Sequence, residues 1–180
     1  MSADIFVNIK RVLLEVLNAK QKLAHNLIVR AANLKENESR TESGIDVSRL
    51  QLLVGKGGAG KSHVTNAVVT SLKDSHDCSN MNFLTMAPTG KAATAINGST
   101  IHSHKEGLGM AVKGKHKPLE ANVLKHMQEK HQGKLKLVVF NEFTMVSASM
   151  LHEMDQRFRQ FMCVDKDFRG VVVVVVGDPA

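Results

Sequence analysis

Apolar residues at the start of the chain recur at steps of three and four positions. The series begins at Ile5 and ends at Ala31, and neither Pro nor Gly interrupts it. This spacing predicts one or two amphipathic helices over residues 4–35. The stretch after them is polar throughout and predicts a linker or surface loop. We therefore assign residues 1–48 to an N-terminal helical segment and linker. We expect the helix to dock on the core, with a basic mitochondrial presequence as the alternative.

From residue 49 onward, the pattern changes to short continuous apolar runs that alternate with helical spacing. Continuous runs are typical of strands covered on both faces of a parallel sheet. Strands and helices in alternation favour an α/β domain with a mostly parallel sheet flanked by helices, and we assign this domain to residues 49–180. The predicted strands are Leu50–Val54, Met81–Ala87, Leu135–Phe140 and Val171–Val176, and the predicted helices are Ser62–Lys73, a short one behind Pro88, one within residues 119–131, and Ser149–Met162.

Composition limits the classes of partner that fit this chain. It has 180 residues, 43% of them hydrophobic, which suits one ordinary domain with a core. The formal net charge of +7 favours an anionic partner, either a nucleotide or a nucleic acid. There is no Trp or Tyr, so a nucleic acid would be held through its phosphates more than by base stacking. The longest apolar run is too short to cross a bilayer, which argues against a membrane partner.

A Gly-rich stretch, GKGGAGKS at Gly55–Ser62, lies between the first predicted strand and the helix after it. It fits the G-x-x-x-x-G-K-[ST] pattern at every fixed position. Glycines let backbone N–H groups turn inward around a phosphate, and the following helix directs its positive end at the same place. Lys61 can then meet the β and γ phosphates while the Ser62 hydroxyl ligates Mg²⁺. The predicted nucleotide-binding residues are Gly55, Gly57, Gly58, Ala59, Gly60, Lys61, Ser62 and His63.

The third predicted strand, LKLVVF, is followed by Asn141 and Glu142. An apolar strand that ends at an acidic residue is typical of the metal side of a nucleotide-hydrolysing site, but an Asp is expected where Asn141 stands. Asn keeps an acceptor oxygen and loses the negative charge.

Two further groups of residues carry weaker signals. Pro88, Gly90 and Lys91 follow the second strand, at the edge where open α/β sheets bind ligands. They could contact a nucleic-acid backbone, although an ordinary strand-to-helix turn looks the same. Five histidines invite a metal hypothesis, but their spacing fits no zinc pattern and no Cys joins them, which favours a solvated basic loop. These are His102, His104, His116, His126 and His131.

Five stretches together resemble the successive motifs of one enzyme family. GKGGAGKS, APTGKAA, GSTIHS, NEFTMVS and GDPA have the order and rough spacing found in the PIF/RecD-like DNA helicases. These superfamily-one enzymes move five-prime to three-prime along single-stranded DNA using ATP. The eukaryotic PIF branch, which includes helicases carried by Helitron-type transposons, is the most similar. The resemblance covers Arg49–Ala180.

The resemblance implies a RecA-like P-loop ATPase domain in which one strand lies between the P-loop strand and the acidic strand. It implies ATP and Mg²⁺ as cofactors and single-stranded DNA as the partner. By position, Lys61 and Glu142 are catalytic, Glu142 by orienting or activating the attacking water. Ser62 and, more weakly, Asn141 hold the metal, and Asp178 belongs to the motif that helps to sense the γ-phosphate. The residues implied along the DNA path are Thr89, Gly90, Lys91 and His102.

Departures from the family's pattern limit the expected activity. Asn141 replaces the Asp that in the family normally holds Mg²⁺. Because a hydrogen bond to a charged group contributes about 1.5–3 kcal/mol, we expect Mg²⁺ binding to weaken by roughly one to two powers of ten, and nucleotide binding to outlast hydrolysis. The sequence also ends at Ala180, before the family's second RecA-like domain and the arginine that this domain supplies. The family's adenine-reading glutamine is not found around Ile9. We therefore expect an ATP-binding motor domain with weak or no hydrolysis and no unwinding by itself, in the nucleus or, alternatively, the mitochondrion. Other hypotheses are a non-catalytic nucleotide- or DNA-binding interaction module and a degenerate transposon-derived remnant.

Overall fold

A five-stranded parallel sheet forms the centre of the structure. Its strands follow the order β1-β5-β4-β2-β3, so β5 separates β1 from β4 as the family resemblance implies. The predicted α/β class and parallel sheet are confirmed. The strands are β1 (Leu50–Val54), β2 (Asn82–Ala87), β3 (Ser99–Thr100), β4 (Leu135–Asn141) and β5 (Val172–Gly177). The computed structural model describes residues 14–33, 50–75, 82–103, 108–110, 118–131, 134–162 and 171–179.

Helices alternate with the strands. Those predicted after the Gly-rich loop are present with ends shifted by a few residues, and the described part of the predicted helical stretch 4–35 contains a helix that begins at Ala19. They are α1 (Ala19–Asn33), α2 (Lys61–Ser75), α3 (Gly90–Thr94), α4 (Ala121–His131) and α5 (Ala148–Met162), with a 3-10 turn at Phe143–Met145. The sequence pattern does not predict β3, because a two-residue strand has no periodicity to read. Of the helices described, none has both the length and the apolar character needed to cross a membrane.

The alternating pleat of β4 gives each face of the sheet its own core. Leu137 and Val139 pack on the face covered by α1 and α2, whereas Val138 and Phe140 pack on the face covered by α4 and α5. Phe140 meets Phe158 of α5 edge-on, with ring centroids 6.5 Å apart. Burying one such side chain stabilises the fold by about 1.5–3 kcal/mol. Because β4 buries side chains on both faces of the sheet, the packing on each face fixes its position.

Helix α1 packs on α2 and on the sheet. Ile28 and Ala31 are buried in the same cluster as the apolar face of α2. His25 is also buried, and its Nε2 lies 2.9 Å from the Ser71 hydroxyl oxygen on α2. A docked helix is thus present within the N-terminal segment, while the domain boundary at residue 48 stays a prediction. Residues 1–13 and 34–49, which include the rest of that segment and its linker, lie outside the described residues.

Strand β1 differs from the other strands because one of its faces is open. Leu50, Leu52 and Val54 alternate along it and are 62%, 62% and 46% exposed. The intervening Gln51 and Leu53 are only partly exposed. The prediction that every strand is covered on both faces is therefore wrong for β1.

Candidate nucleotide-binding site

The Gly-rich loop connects β1 to α2 and adopts the conformation that its glycines allow. Gly58 and Gly60 have φ angles of 77° and 80°, in the left-handed region that residues with side chains disfavour. A Cβ added at Gly57 or Gly58 would meet no atom within 4 Å, so there is space beside them for a ligand. Successive N–H groups in such a turn form a nest for an anion, and α2 begins directly behind it.

Lys61 is held inside the loop by backbone oxygens. Its Nζ donates to the carbonyl oxygens of Gly55 and Lys56. A phosphate oxygen is a charged acceptor and makes the stronger hydrogen bond with an ammonium group, so Lys61 can exchange these partners when a nucleotide binds. Ser62 follows in the first turn of α2 and is half-buried. The loop therefore keeps a cation and a hydroxyl next to the anion nest.

The residues at the end of β5 fasten the loop from a second side. Asp178 Oδ2 accepts a hydrogen bond from the Gly57 N–H at 2.8 Å, and the Gly177 carbonyl accepts one from the Gly55 N–H at 3.2 Å. Gly177 also lies against the 3-10 turn, since a Cβ there would be 2.5 Å from Phe143 Cδ1. The structure thus brings Asp178 to the same loop as Lys61.

Glu142 follows β4 in a strained backbone conformation. Its φ and ψ are 60° and 52°, a left-handed conformation that costs a residue with a side chain roughly 1–2 kcal/mol. The chain then enters the 3-10 turn. Strain of this kind is concentrated at functional sites, where the surrounding fold holds a side chain in a required direction. The half-buried Glu142 therefore stays a candidate for orienting water.

Asn141 is buried, with only 3% of its surface exposed, and its side chain has a structural partner. Its Nδ2 donates to the carbonyl oxygen of Ala92 in α3 at 3.1 Å. An ionised Asp has no hydrogen to donate, so this bond depends on the amide. The prediction of a merely weakened metal ligand therefore omits the contact that Asn141 makes with α3.

The residues present fit a nucleotide with its metal better than a metal ion alone. Across the described ranges, no three His, Cys, Asp or Glu side chains come together as a metal site. Protein-bound Mg²⁺ usually keeps several waters and is held by one or two protein oxygens together with phosphates. The Ser62 hydroxyl at the nest suits that role, so Mg²⁺ would enter with the phosphates.

Sequence reasoning missed Gln21, which α1 brings to the loop. Gln21 Nε2 donates to the Ala59 carbonyl at 2.9 Å, and a Cβ on Gly60 would lie 2.5 Å from the same nitrogen. Asn18 and Gln21 also cap the start of α1 reciprocally, each side-chain oxygen accepting the other's backbone N–H at 2.8 or 3.0 Å. Asn-x-x-Gln is a variant of the capping box, and this local signal could have found the residue. Gln21 is thus a glutamine that precedes the Gly-rich loop in the chain and contacts it in the structure.

His63 adds an unpaired nitrogen beside the loop. It lies in the first turn of α2, and its Cβ is 4.0 Å from where a Cβ on Gly60 would be. Its Nε2 is buried and has no hydrogen-bond partner in the part of the chain that the structure describes. A buried polar atom without a partner costs about 1–3 kcal/mol, so a hydrogen-bond partner brought to this nitrogen would stabilise the loop.

The four residues implied along a DNA path divide into structural and exposed ones. Thr89 is the N-cap of α3, and its hydroxyl accepts a backbone N–H of that helix at 3.3 Å. His102 is half-buried, and its Nδ1 lies 3.1 Å from the Met110 carbonyl oxygen. Gly90 and Lys91 are exposed at the start of α3. Thr89, Gly90 and Lys91 thus lie together just after β2, and Lys91 is the exposed charged residue among them.

The histidines do not share one environment. His131 ends α4 and is buried beside Phe161, with ring centroids 6.0 Å apart. Burial, with smaller contributions from the charges of Lys130 and His126, lowers the pKa of His131 to about 4. The prediction of a solvated loop is therefore wrong for His131. Outside the described residues lie His104 and His116.

The fold and the site together define a class of protein. A parallel sheet carries a phosphate-type Gly-rich loop after β1, an acidic residue after β4, and a Gly-Asp pair at the end of β5 that bonds to the loop. These are the parts of a RecA-like P-loop nucleotide-binding domain. The PIF1-like helicase family model matches residues 16–180, and the chain belongs to that family.

Individual relatives agree with this assignment. The chain is 30% identical over 126 residues to the ATP-dependent DNA helicase Pif1 of Psychrobacter sp. (strain PRwf-1), a match that covers 70% of this chain and 18% of that protein. The fold is similar to the Pif1 helicase from Candida albicans, with a TM-score of 0.64, 21% identity, and coverage of 91% of this chain and 32% of the other. Pif1 from Bacteroides in complex with ADP-AlF3 and ssDNA gives a TM-score of 0.60 at 22% identity, with the same coverage. The chain therefore spans a fifth to a third of the length of these relatives.

Proposed function

We propose that this domain binds ATP with Mg²⁺ and serves as the nucleotide-binding motor domain of a PIF1-like, ATP-dependent DNA helicase. The observation that carries the proposal is the Gly-rich loop after β1, with Lys61 held inside it and Asp178 bonded to its edge. The name of the Psychrobacter relative and the ADP-AlF3 bound to Bacteroides Pif1 support the same function.

Each side chain at the loop has a distinct proposed role. The backbone N–H groups bind the phosphates, and Lys61 exchanges its carbonyl partners for phosphate oxygens. Ser62 offers its hydroxyl to Mg²⁺, which neutralises phosphate charge when bound. Asp178 releases the Gly57 N–H when a terminal phosphate takes it, which makes Asp178 a sensor of that phosphate. Gln21, at the edge of the loop, is the proposed reader of the adenine.

Hydrolysis is proposed to be weaker than binding. Glu142 orients the attacking water, a role that its constrained backbone supports. Asn141 offers the metal no negative charge, and its Nδ2 is engaged by the Ala92 carbonyl. Unwinding by a monomer needs two domains that close on ATP and grip the strand alternately. We propose that these 180 residues by themselves bind without unwinding.

Single-stranded DNA is the proposed nucleic-acid partner. The net charge of +7 and the exposed Lys91 suit a phosphate backbone. Bacteroides Pif1, which shares the fold, carries ssDNA in its crystal structure. The nucleus is the proposed compartment, with the mitochondrion as the alternative.

A second candidate function is a nucleotide-regulated binding module without catalysis. The bond from Asn141 to Ala92 favours it, because the side chain at the metal position serves the packing of α3. Both candidates require nucleotide binding, and they differ in turnover. Phosphate release above that of Glu142→Gln supports the motor domain, whereas release equal to that variant supports the module.

Titration with a fluorescent ATP analogue, with and without Mg²⁺, tests the proposal. Saturable binding is expected, and Lys61→Ala should weaken it about 10- to 100-fold, because a hydrogen bond to a charged group contributes about 1.5–3 kcal/mol. Lys56→Ala is the matched control, since it removes an exposed lysine of the same loop and should bind normally. No saturable binding by well-folded protein, or equal losses in both variants, contradicts the proposal.

The proposed binding to single-stranded DNA is tested by titrating a fluorescently labelled oligothymidine with the protein and measuring its fluorescence anisotropy. Affinity should fall steeply as salt rises, because phosphate contacts release counterions. Lys91→Ala should weaken binding and reduce the salt dependence, while Lys125→Ala on the exposed face of α4 is the control. Absent or salt-independent binding contradicts the DNA part of the proposal and leaves nucleotide binding intact.

A further inference from the structure

Two side-chain amides hold the short helix α3, and both come from elements of the nucleotide site. Asn141 at the end of β4 donates from Nδ2 to the Ala92 carbonyl at 3.1 Å. Asn66 of α2 donates from Nδ2 to the carbonyl of Ala95, the C-cap of α3, at 3.4 Å. The second bond is at the long end of the hydrogen-bond range, so Asn141 is expected to contribute more. We call these two residues the amide clamp.

The amide clamp supplies hydrogen-bond donors to carbonyl groups of the α3 backbone. A helix of five residues leaves most of its carbonyls without an intrahelical donor. The backbone N–H groups that follow α3 bond to the carbonyls of Lys91, Ala93 and Thr94. Ala92 and Ala95 receive the two amides instead. So short a helix is unstable by itself, so its position depends on such contacts.

Each clamp residue is next to a residue of the proposed nucleotide chemistry. Asn66 lies four positions after Ser62 in α2, which puts both side chains on one helical face. Asn141 directly precedes the strained Glu142. A shift of α2 or of the end of β4 when a nucleotide binds would therefore move a donor that holds α3.

We infer that Asn66 and Asn141 are positioning residues that couple occupation of the nucleotide site to the placement of α3, and so to the nucleic-acid contacts of Lys91. The departure from Asp at position 141 then adds a donor as well as removing a charge. The coupling rests on the proposed function, whereas the clamp itself rests on the two hydrogen bonds alone. Coupling between two ligands is reciprocal, so nucleotide and DNA must change each other's affinity by the same factor.

The clamp is tested by amide hydrogen exchange along α3 in the ligand-free protein. Asn141→Leu removes the buried donor at similar volume, and Asn66→Ala removes the half-buried one. Both should speed exchange at residues 92–97 by about fivefold, with the larger effect from Asn141→Leu, since a net hydrogen bond is worth on the order of 1 kcal/mol. Met127→Ala in α4 is the control, because it destabilises a core that does not include α3. Unchanged exchange at α3, or the same local change in Met127→Ala, overturns the clamp.

The coupling is tested by oligothymidine affinity with and without a non-hydrolysable ATP analogue and Mg²⁺. The wild type should show a coupling factor of about 5- to 150-fold, and both clamp variants should bring it close to one. The double variant should lose no more than the larger single loss, because both donors hold one helix. A wild-type factor retained by the variants overturns the coupling even where exchange has confirmed the clamp. A wild type that binds neither ligand overturns the coupling and the proposed function together, and the exchange result then decides the clamp.

Discussion

The Gly-rich loop and the end of β4 lie at the same edge of the sheet, but they are built differently. The loop offers backbone N–H groups to a ligand, so its main requirement is the left-handed freedom of Gly58 and Gly60. The role proposed for the end of β4 depends on the side chains of Asn141 and Glu142, so a single substitution changes its chemistry. An anion site built from the backbone can therefore keep its capacity to bind when side chains proposed for metal binding beside it are substituted.

The largest expected effect is the pH dependence of the free energy of unfolding, and it arises from His131, which lies in neither region. This dependence sets the pH range in which variants of the two regions can be compared. His131 is neutral in the folded state because burial lowers its pKa to about 4 from 6.5. Below pH 6.5 the unfolded chain takes up a proton on this histidine more readily than the folded protein does, so protonation favours unfolding. The free energy of unfolding is therefore highest above pH 6.5 and falls by up to about 3 kcal/mol as the pH drops to 4. Urea unfolding across this range should show the loss, and His131→Leu should flatten it.

An exposed histidine of α5 provides the control for this pH dependence. His152→Leu should leave the acid loss of stability as it is in the wild type. Equal slopes for the wild type and His131→Leu would contradict the assignment to His131. Variants of the loop and of the end of β4 should accordingly be compared above pH 6.5, the unfolded-state value for this group.

Gly177→Ala tests the point where the two regions touch. A Cβ at Gly177 would lie 2.5 Å from Phe143 Cδ1, so the 3-10 turn or β5 must shift. Overpacking of this kind lowers the free energy of unfolding by about 1–3 kcal/mol, measurable by urea denaturation. Gly90→Ala, where a Cβ meets nothing within 4 Å, should change stability by no more than about 0.5 kcal/mol. Similar losses in both variants would mean that the contact between the regions is unimportant.

A pair of glycine variants tests the backbone character of the loop. Gly60→Ala forces a side chain into a left-handed conformation and against Gln21 Nε2, so stability should fall by about 1–2 kcal/mol and ATP-analogue affinity should fall with it. Gly57→Ala meets no atom within 4 Å and should be nearly neutral for stability. Thermal unfolding and the fluorescent titration give both quantities. An unaffected Gly60→Ala would show that the left-handed turn is not required.

The smallest expected effect is a gain of stability at Glu142. Asn tolerates the left-handed region better than Glu, so Glu142→Asn should raise the free energy of unfolding by up to about 1 kcal/mol while any hydrolysis is lost. Glu142→Gln keeps the strain and should lose hydrolysis without the gain. Thermal unfolding and phosphate release measure the two effects. Equal stability of the two variants would argue that the backbone at this position is not strained.

The sequence predicts the Gly-rich turn between β1 and α2 because the glycines that shape it and Lys61 lie in one short run of residues. It fails for contacts between distant positions, which leave no local pattern. Gln21 and the Ala59 carbonyl are 38 positions apart, and Asn141 and the Ala92 carbonyl are 49 apart. Of these two contacts, only the one made by Gln21 is accompanied by a local sequence signal, the capping pattern of Asn18 and Gln21. For Asn141, the residue type predicts a lost charge, and only the packing of α3 against β4 reveals what the amide donates to.

The contact between Gly177 and Phe143 also has a consequence for sequence variation. The aromatic ring takes up the volume that a side chain at position 177 would need, so the two positions share one fixed space. A larger residue at 177 should be viable only with a smaller one at 143. Related sequences should therefore change these two positions together, and a designer who wishes to alter either one must exchange volume between them.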